Sequence, residues 1–280
     1  MPFVQTKIAN YATNKLNTQY GTDINIDEVA ITFFGGVKLK KVLILDNHKD
    51  TLIFSDRIRT SVLDFKQLVD GQLLFGDLYL DDFYLQIKNY KGDKDTNLDK
   101  FIAAFDDGTK GTGKFLMKSN NIYLKDSRFV MVDLNRPDPK DVEFTKLNAH
   151  LKDFKIKGPN VYTLINSMAF HDHRGVDVKN LTSDFSYTKK DITLNKLEMT
   201  TKESYLKGKV ILKYNKDNHD FADFNNRVKF DVTIDSATFA TNDIRYFYKE
   251  LDKNQKFFLK SKIKGTLNNF YATNVDLKDY

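Results

Sequence analysis

Apolar and polar positions change period once near the start of the chain and then hold the new one. Val4, Ile8, Tyr11 and Leu16 fall close to i, i+4, i+7 and i+12, which places them on one face of a helix. Gly21 follows and supplies a helix stop. From Asp23 the period becomes two, through Ile24 and Ile26, Val29 and Ile31, Val37 and Leu39, and Val42 and Ile44. Residues 56–65 alternate like another strand, and 66–71 predict a single helical turn. Residues 72–88 predict two strands with a turn at Asp81-Asp82. Asn97 predicts the cap of a short helix carrying Leu98, Phe101, Ile102 and Phe105 at i, i+3, i+4 and i+7. From Lys114 strand follows strand, with turn residues roughly every 8–14 positions. Residues 242–251 predict one more short helix. The pattern yields on the order of 15 to 20 strands against three short helices. Without a βαβ rhythm, the sheet is expected to be antiparallel.

The first fifty residues carry a family resemblance. A short helix, a Gly21-Thr-Asp-Ile-Asn-Ile-Asp-Glu-Val29 strand, an aromatic-Gly-Gly turn at Phe34-Gly35-Gly36 and a strand pair from Val37 to Ile53 resemble the start of the AsmA/TamB superfamily. The nearest likeness is to the long TamB-like translocation and assembly module proteins of Gram-negative envelopes. Thr200 to Gly208 leading into Val210, Ile211 and Leu212, and Ser261 to Phe270, fit the same family. The order of these pieces, rather than any one, is the specific part.

Alternating strands have one apolar face, which needs a cover. A sandwich supplies a second sheet and a barrel closes on itself. The third solution is a long sheet curled into a U-shaped trough finished by acyl chains. Some 16 strands ~4.8 Å apart would make a groove roughly 75 Å long. The resemblance implies this third form: a mainly β, elongated antiparallel sheet curled into a U-shaped hydrophobic groove (β-taco-like), with an N-terminal amphipathic capping helix and a few short helices. Residues 1–107 would hold that helix and the AsmA-like first part of the sheet, and 108–280 its continuation, as one elongated unit.

Composition narrows the function. The chain has 280 residues, with 41% hydrophobic and 29% charged, so it can bury a core and is not a disordered chain. It has no cysteine, which removes disulfides, thiolate catalysis and Cys-ligated metal. The net charge of +6 is mild, and lysines interleave with Asp and Glu, which reads as a solvated face and not a nucleic-acid stripe. No apolar run approaches the ~20 residues that span a bilayer, and Met1-Pro-Phe-Val does not start a signal peptide. Members of the family carry a transmembrane anchor upstream of this helix, so the chain reads as an amino-terminal fragment.

Candidate chemistry is thin. Gly108-Thr-Lys-Gly-Thr-Gly113-Lys114 fits GxxxxGK, but Phe115 stands where a phosphate loop needs Ser or Thr, so it reads as a flexible loop. His171 and His173 could share a strand face, yet two histidines under-ligate a metal. His48, His150 and His219 sit in lysine- or asparagine-rich stretches, and Asp81-Asp82 and Asp106-Asp107 read as turns. Asn180-Leu-Thr182 matches a glycosylation sequon without further support. No catalytic, metal or cofactor site is expected. The residues expected to line an apolar groove are Leu39, Ile44, Leu78, Leu80, Leu85, Ile122, Leu124 and Met131, then Ile192, Leu194, Val210, Leu212, Phe230, Val232, Ile263 and Leu267. Val4, Ile8, Tyr11 and Leu16 would cap the first strands or lie near a membrane.

By resemblance, the chain would be a non-enzymatic, periplasmic, inner-membrane-associated part of a conduit for phospholipid, or an aid to outer-membrane protein assembly. Its partners would be phospholipid acyl chains, an upstream inner-membrane anchor and, through a separate C-terminal domain, an outer-membrane barrel; no nucleic acid is expected. The rival readings are a periplasmic chaperone that holds client strands by edge augmentation, and an envelope hydrolase on a β-scaffold.

Overall fold

The computed structural model describes residues 13–14, 16–32, 36–60, 72–105, 116–136, 140–215, 220–246 and 249–279. The expected boundary at 107/108, the helical turn at 66–71, the glycine-rich loop at 108–114, and Val4, Ile8, Tyr11 and His219 lie outside these residues. About two thirds of the described residues are strand, 67%. The chain divides into two compact units, Met1–Pro159 and Asn160–Tyr280.

In the first unit β1 (Asp23–Ile31), β2 (Val37–Leu45), β3 (Thr51–Thr60), β4 (Gln72–Asn89), β5 (Leu116–Asp133) and β6 (Lys140–Lys157) lie side by side in chain order, with α1 (Asn97–Ala103) between β4 and β5. The second unit orders β7 (Asn160–Asp172), β9 (Asn180–Tyr187), β10 (Asp191–Thr200), β11 (Tyr205–Lys213), β12 (Lys229–Ala240), β13 (Lys256–Gly265) and β14 (Phe270–Asp279). The two-residue β8 (Asp177–Val178) pairs with β7. Short helices α2 (Phe224–Arg227) and α3 (Thr241–Ile244) flank β12. The strands form one sheet that does not close: among the described residues β1 pairs only with β2, and β14 only with β13.

Five expectations change. The sheet is mixed, because β4 and β5 run parallel from Gln72↔Leu116 to Asn89↔Asp133, with α1 in the crossover. Asp81-Asp82 is not a turn: β4 runs through it as one strand of 18 residues. The described residues form 14 strands, against the 15 to 20 or so that the pattern predicts for the chain. Thr96, not Asn97, caps α1; its side chain and that of Asp99 form a reciprocal capping box, while Asn97 is buried against β4. The helix expected at 242–251 ends at Ile244.

Long strands persist through such sites because they kink without reversing. Lys41, Asp82, Asp126, Lys146, Asp153, Lys196 and Asn274 all lie inside strands with φ between 48° and 53°. A left-handed residue in a strand disturbs the ladder and bends it. The apolar face then steps by three: Val37, Leu39, then Val42, Ile44 in β2; Leu78, Leu80, then Phe83, Leu85 in β4. Phe83 packs against Leu78, Leu80 and Ile122, so the face survives the kink.

Buried serines accept the cost of the kink. At four of the seven kinks a serine hydroxyl donates to the carbonyl just before the left-handed residue. Ser55 bonds the Asp81 carbonyl at 3.1 Å, Ser127 that of Lys125 at 3.2 Å, Ser183 that of Asn195 at 2.9 Å and Ser261 that of Thr273 at 3.4 Å. Each serine is no more than 2% exposed. An unpaired carbonyl there would cost about 1–3 kcal/mol. Gly208 marks one further close approach, since a Cβ would sit 2.0 Å from the Thr233 carbonyl oxygen.

Candidate functional site

Cross-strand pairing turns the expected apolar residues into rows. In the first unit one row runs Leu39, Ile58, Leu80, Leu124 and Ala149; the next runs Ile44, Ile53, Leu85, Phe129 and Phe144. Leu78 aligns with Ile122 and Leu151, and Met131 with Ile87 and Val142. Leu78, Leu80 and Ile122 are 3–8% exposed at the centre of a cluster with Ile58, Phe75, Met117, Leu124 and Phe154. Leu39 packs against Val29 and Val37.

One end of this face is covered. Leu16 and Phe105 are buried together, with Tyr20, Ile24, Leu73, Phe101, Ile102, Met117 and Ile156 against them. The Tyr20 and Phe105 rings lie 4.9 Å apart. Asn17 ties the helical residues to β1, donating to the Ile24 carbonyl at 2.9 Å and accepting from the Ile24 amide at 2.8 Å. Leu16 therefore spends its apolar side chain inside the protein.

In the second unit the same grammar gives Phe185, Leu194, Val210, Val232, Ile263 and Ala272 in one row. Its neighbour holds Tyr187, Ile192, Leu212, Phe230, Gly265 and Phe270. Ile192, Leu194, Val210, Leu212, Phe230, Val232 and Ile263 are all only partly buried. Rings from Tyr214, Phe221 and Phe224 reach Phe230 and cover the end of the second row. Leu267 stands apart, in the turn between β13 and β14, 45% exposed. Phe185, Tyr187 and the Ser55-type serines were not singled out by periodicity; the three-residue steps beside Asp and Lys were the available sign.

The titratable groups serve turns and faces. Asp46, 4% exposed, ends β2 and accepts from Tyr90 Oη at 2.8 Å, Asn97 Nδ2 at 3.0 Å and the amides of His48 and Asp50 at 2.8 and 3.0 Å. Burial pushes its carboxyl up, but those four bonds outweigh it and hold the pKa below the ordinary value. Asp172 repeats the device after β7: burial is outweighed by Arg174, whose amide, Nε and Nη2 donate at 2.7–2.9 Å. His171 Nδ1 lies 2.8 Å from Asp177 across β7 and β8, whereas His173 lies in the turn, 3.8 Å from Asp172. His150 stacks on Tyr123 at 4.4 Å and meets Asn121 at 2.9 Å. Among the described residues no three His, Cys, Asp or Glu side chains converge as metal ligands, and no helix is long and apolar enough to cross a membrane.

No protein-family model matches the chain, and no curated protein matches it.

Proposed function

We propose that the chain is a non-enzymatic, TamB-like segment of a hydrophobic conduit that carries phospholipid in the bacterial envelope. The observation that carries this reading is the pair of apolar rows in the second unit, aligned strand by strand and left only partly buried. Acyl chains would slide along them while head groups stay in water. Burial of each CH₂ is worth ~0.8 kcal/mol, nearly the same at each step, so no position would trap the lipid.

Support for a curled sheet comes from β4. From Leu73 to Gln86 a straight strand would run roughly 43 Å. Yet Asn97 bonds the Gln86 carbonyl and the Lys88 amide, at 3.1 and 2.8 Å. Eight residues later, about 12 Å along a helix, Phe105 joins the cluster that contains Leu73. A strand bent back on itself, as a U-shaped trough requires, accounts for both contacts. On this reading the helical residues before Gly21 plug the first end of the trough.

Native mass spectrometry of the purified chain tests the proposal. Co-purifying phospholipid is expected. A lipid-free chain that captures extended peptides would instead favour the second reading, in which a client strand pairs with β14. That reading draws on one observation: β14 is the most exposed strand, with Phe270, Tyr271, Val275 and Leu277 at 55–61%.

A further inference from the structure

Lysines that interleave with acids in sequence separate by face in the second unit. On β13, Phe257, Leu259 and Ile263 belong to the apolar face, and Lys256, Phe258, Lys260, Lys262 and Lys264 to the other. β11 adds Lys207, Lys209 and Lys213 to that second face. Acids on the same face balance them only in part: Asp276 lies opposite Lys260 in the ladder and pairs with Lys278 at 3.0 Å. Asp231 is shared between Lys213 at 3.3 Å and Lys264 at 3.7 Å, and Lys207 meets Glu198 at 2.7 Å. Lys209, Lys260 and Lys262 have no ion-pair partner among the described residues and are exposed.

Lys209 and Lys262 flank Thr233, two strand spacings or ~10 Å apart. Lys260, Lys262 and Lys264 follow one another at ~7 Å along β13. Such like charges repel within a Debye length of about 8–10 Å unless an anionic surface lies against them. Beside them β14 exposes Tyr271 (60%) on the same face, opposite Lys264. Lysines bordered by an exposed tyrosine match a lipid interface, where the charges meet head groups and the ring sits at the acyl boundary. Double-stranded nucleic acid or an acidic protein would use the lysines and leave Tyr271 unexplained; a single strand could stack on it, and its binding is one outcome of the test.

We infer that the lysine face of β11–β14 docks on an anionic phospholipid surface, with Tyr271 as its shallow anchor. This docking is separate from acyl transport on the opposite face, and either can fail alone.

The test is co-sedimentation of the full chain with phosphatidylcholine vesicles, alone or with about 30 mol% phosphatidylglycerol. Binding should rise about tenfold or more with phosphatidylglycerol and fall away near 0.5 M salt. The double variant Lys209→Gln/Lys262→Gln should lose about 10–30-fold, at roughly fivefold per lysine. A control of equal charge loss, Lys41→Gln/Lys94→Gln, should lose much less. Tyr271→Ser should weaken vesicle binding and leave binding to double-stranded DNA unchanged. Equal binding to both vesicle types, equal loss in the two lysine pairs, no loss of vesicle binding in Tyr271→Ser, or DNA, single- or double-stranded, bound as tightly as vesicles would each overturn the inference. Circular dichroism of each variant confirms that it is folded.

Discussion

The two units are built from the same alternating strands, and each has sealed and partly open stretches of apolar face; the contrast is sharpest between the Leu78–Leu80–Ile122 cluster of the first and the Leu194 row of the second. In the first, Leu78, Leu80 and Ile122 are nearly sealed, and two helical segments deliver Leu16, Tyr20, Phe101 and Phe105 to one end of the face. In the second, Leu194, Val210, Val232 and Ile263 line up in register and stay partly open, with rings from the 214–230 region over one end. Cover, not composition, separates a packed core from an apolar surface that can receive a ligand. Leucine is the same residue in both places, and only its neighbours across the face decide its energetics.

Arginine substitution should split the two units most sharply. Leu80→Arg buries a charge in a close-packed cluster and should cost about 4 kcal/mol or more, enough to unfold the first unit. Leu194→Arg lies on a partly open face from which the long side chain can reach water, and should cost about 1 kcal/mol. Denaturant titration followed by circular dichroism measures both. Equal losses would erase the distinction between the units.

The turn carboxylates come next. Asp46→Asn removes a charged acceptor from Tyr90, Asn97 and two amides, and should cost about 2–3 kcal/mol. Because the folded-state pKa of Asp46 lies below the unfolded value of 3.8, its stabilisation is present above that value and fades as pH falls through the lowered one. Acid titration of the wild type should show this loss, and Asp46→Asn should flatten it. Asp172→Asn should produce the corresponding effect in the second unit, where Arg174 loses its partner.

The kinks give smaller effects. Ser183→Ala leaves the Asn195 carbonyl without its donor and should cost about 1–2 kcal/mol, read as a lower melting temperature. Lys196→Gly relieves a left-handed lysine and should change stability by no more than about 1 kcal/mol, in the stabilising direction. A large destabilisation would show that the lysine side chain, not the backbone, holds the bend.

These kinks also explain what the sequence concealed. Alternation exposed the strands and most of the apolar rows, because a period of two survives on either side of a kink. It put Leu80 and Leu85 on one face by way of an expected turn, whereas they share it within one strand, five apart, because the left-handed Asp82 between them restores the phase. Asp81-Asp82 looked like a turn for the same reason: aspartate is favoured both where a chain reverses and where it briefly turns left-handed. The parallel pairing of β4 with β5 depends on where α1 carries the chain, which no local pattern encodes. Asn97 matched a cap by type, but its side chain was claimed by Asp46 and β4. Whether Leu194 is covered depends on residues far from it in the chain.

The account therefore rests on whether the second unit's apolar face meets acyl chains. The chain has no tryptophan, so a single introduced one reports without background. Leu194→Trp, Thr193→Trp and Ile122→Trp would place it on the open apolar face, on the opposite face and in the sealed cluster. Phospholipid with brominated acyl chains should quench the first strongly and the other two little. Equal quenching at 193 and 194, or none at 194, would contradict the conduit.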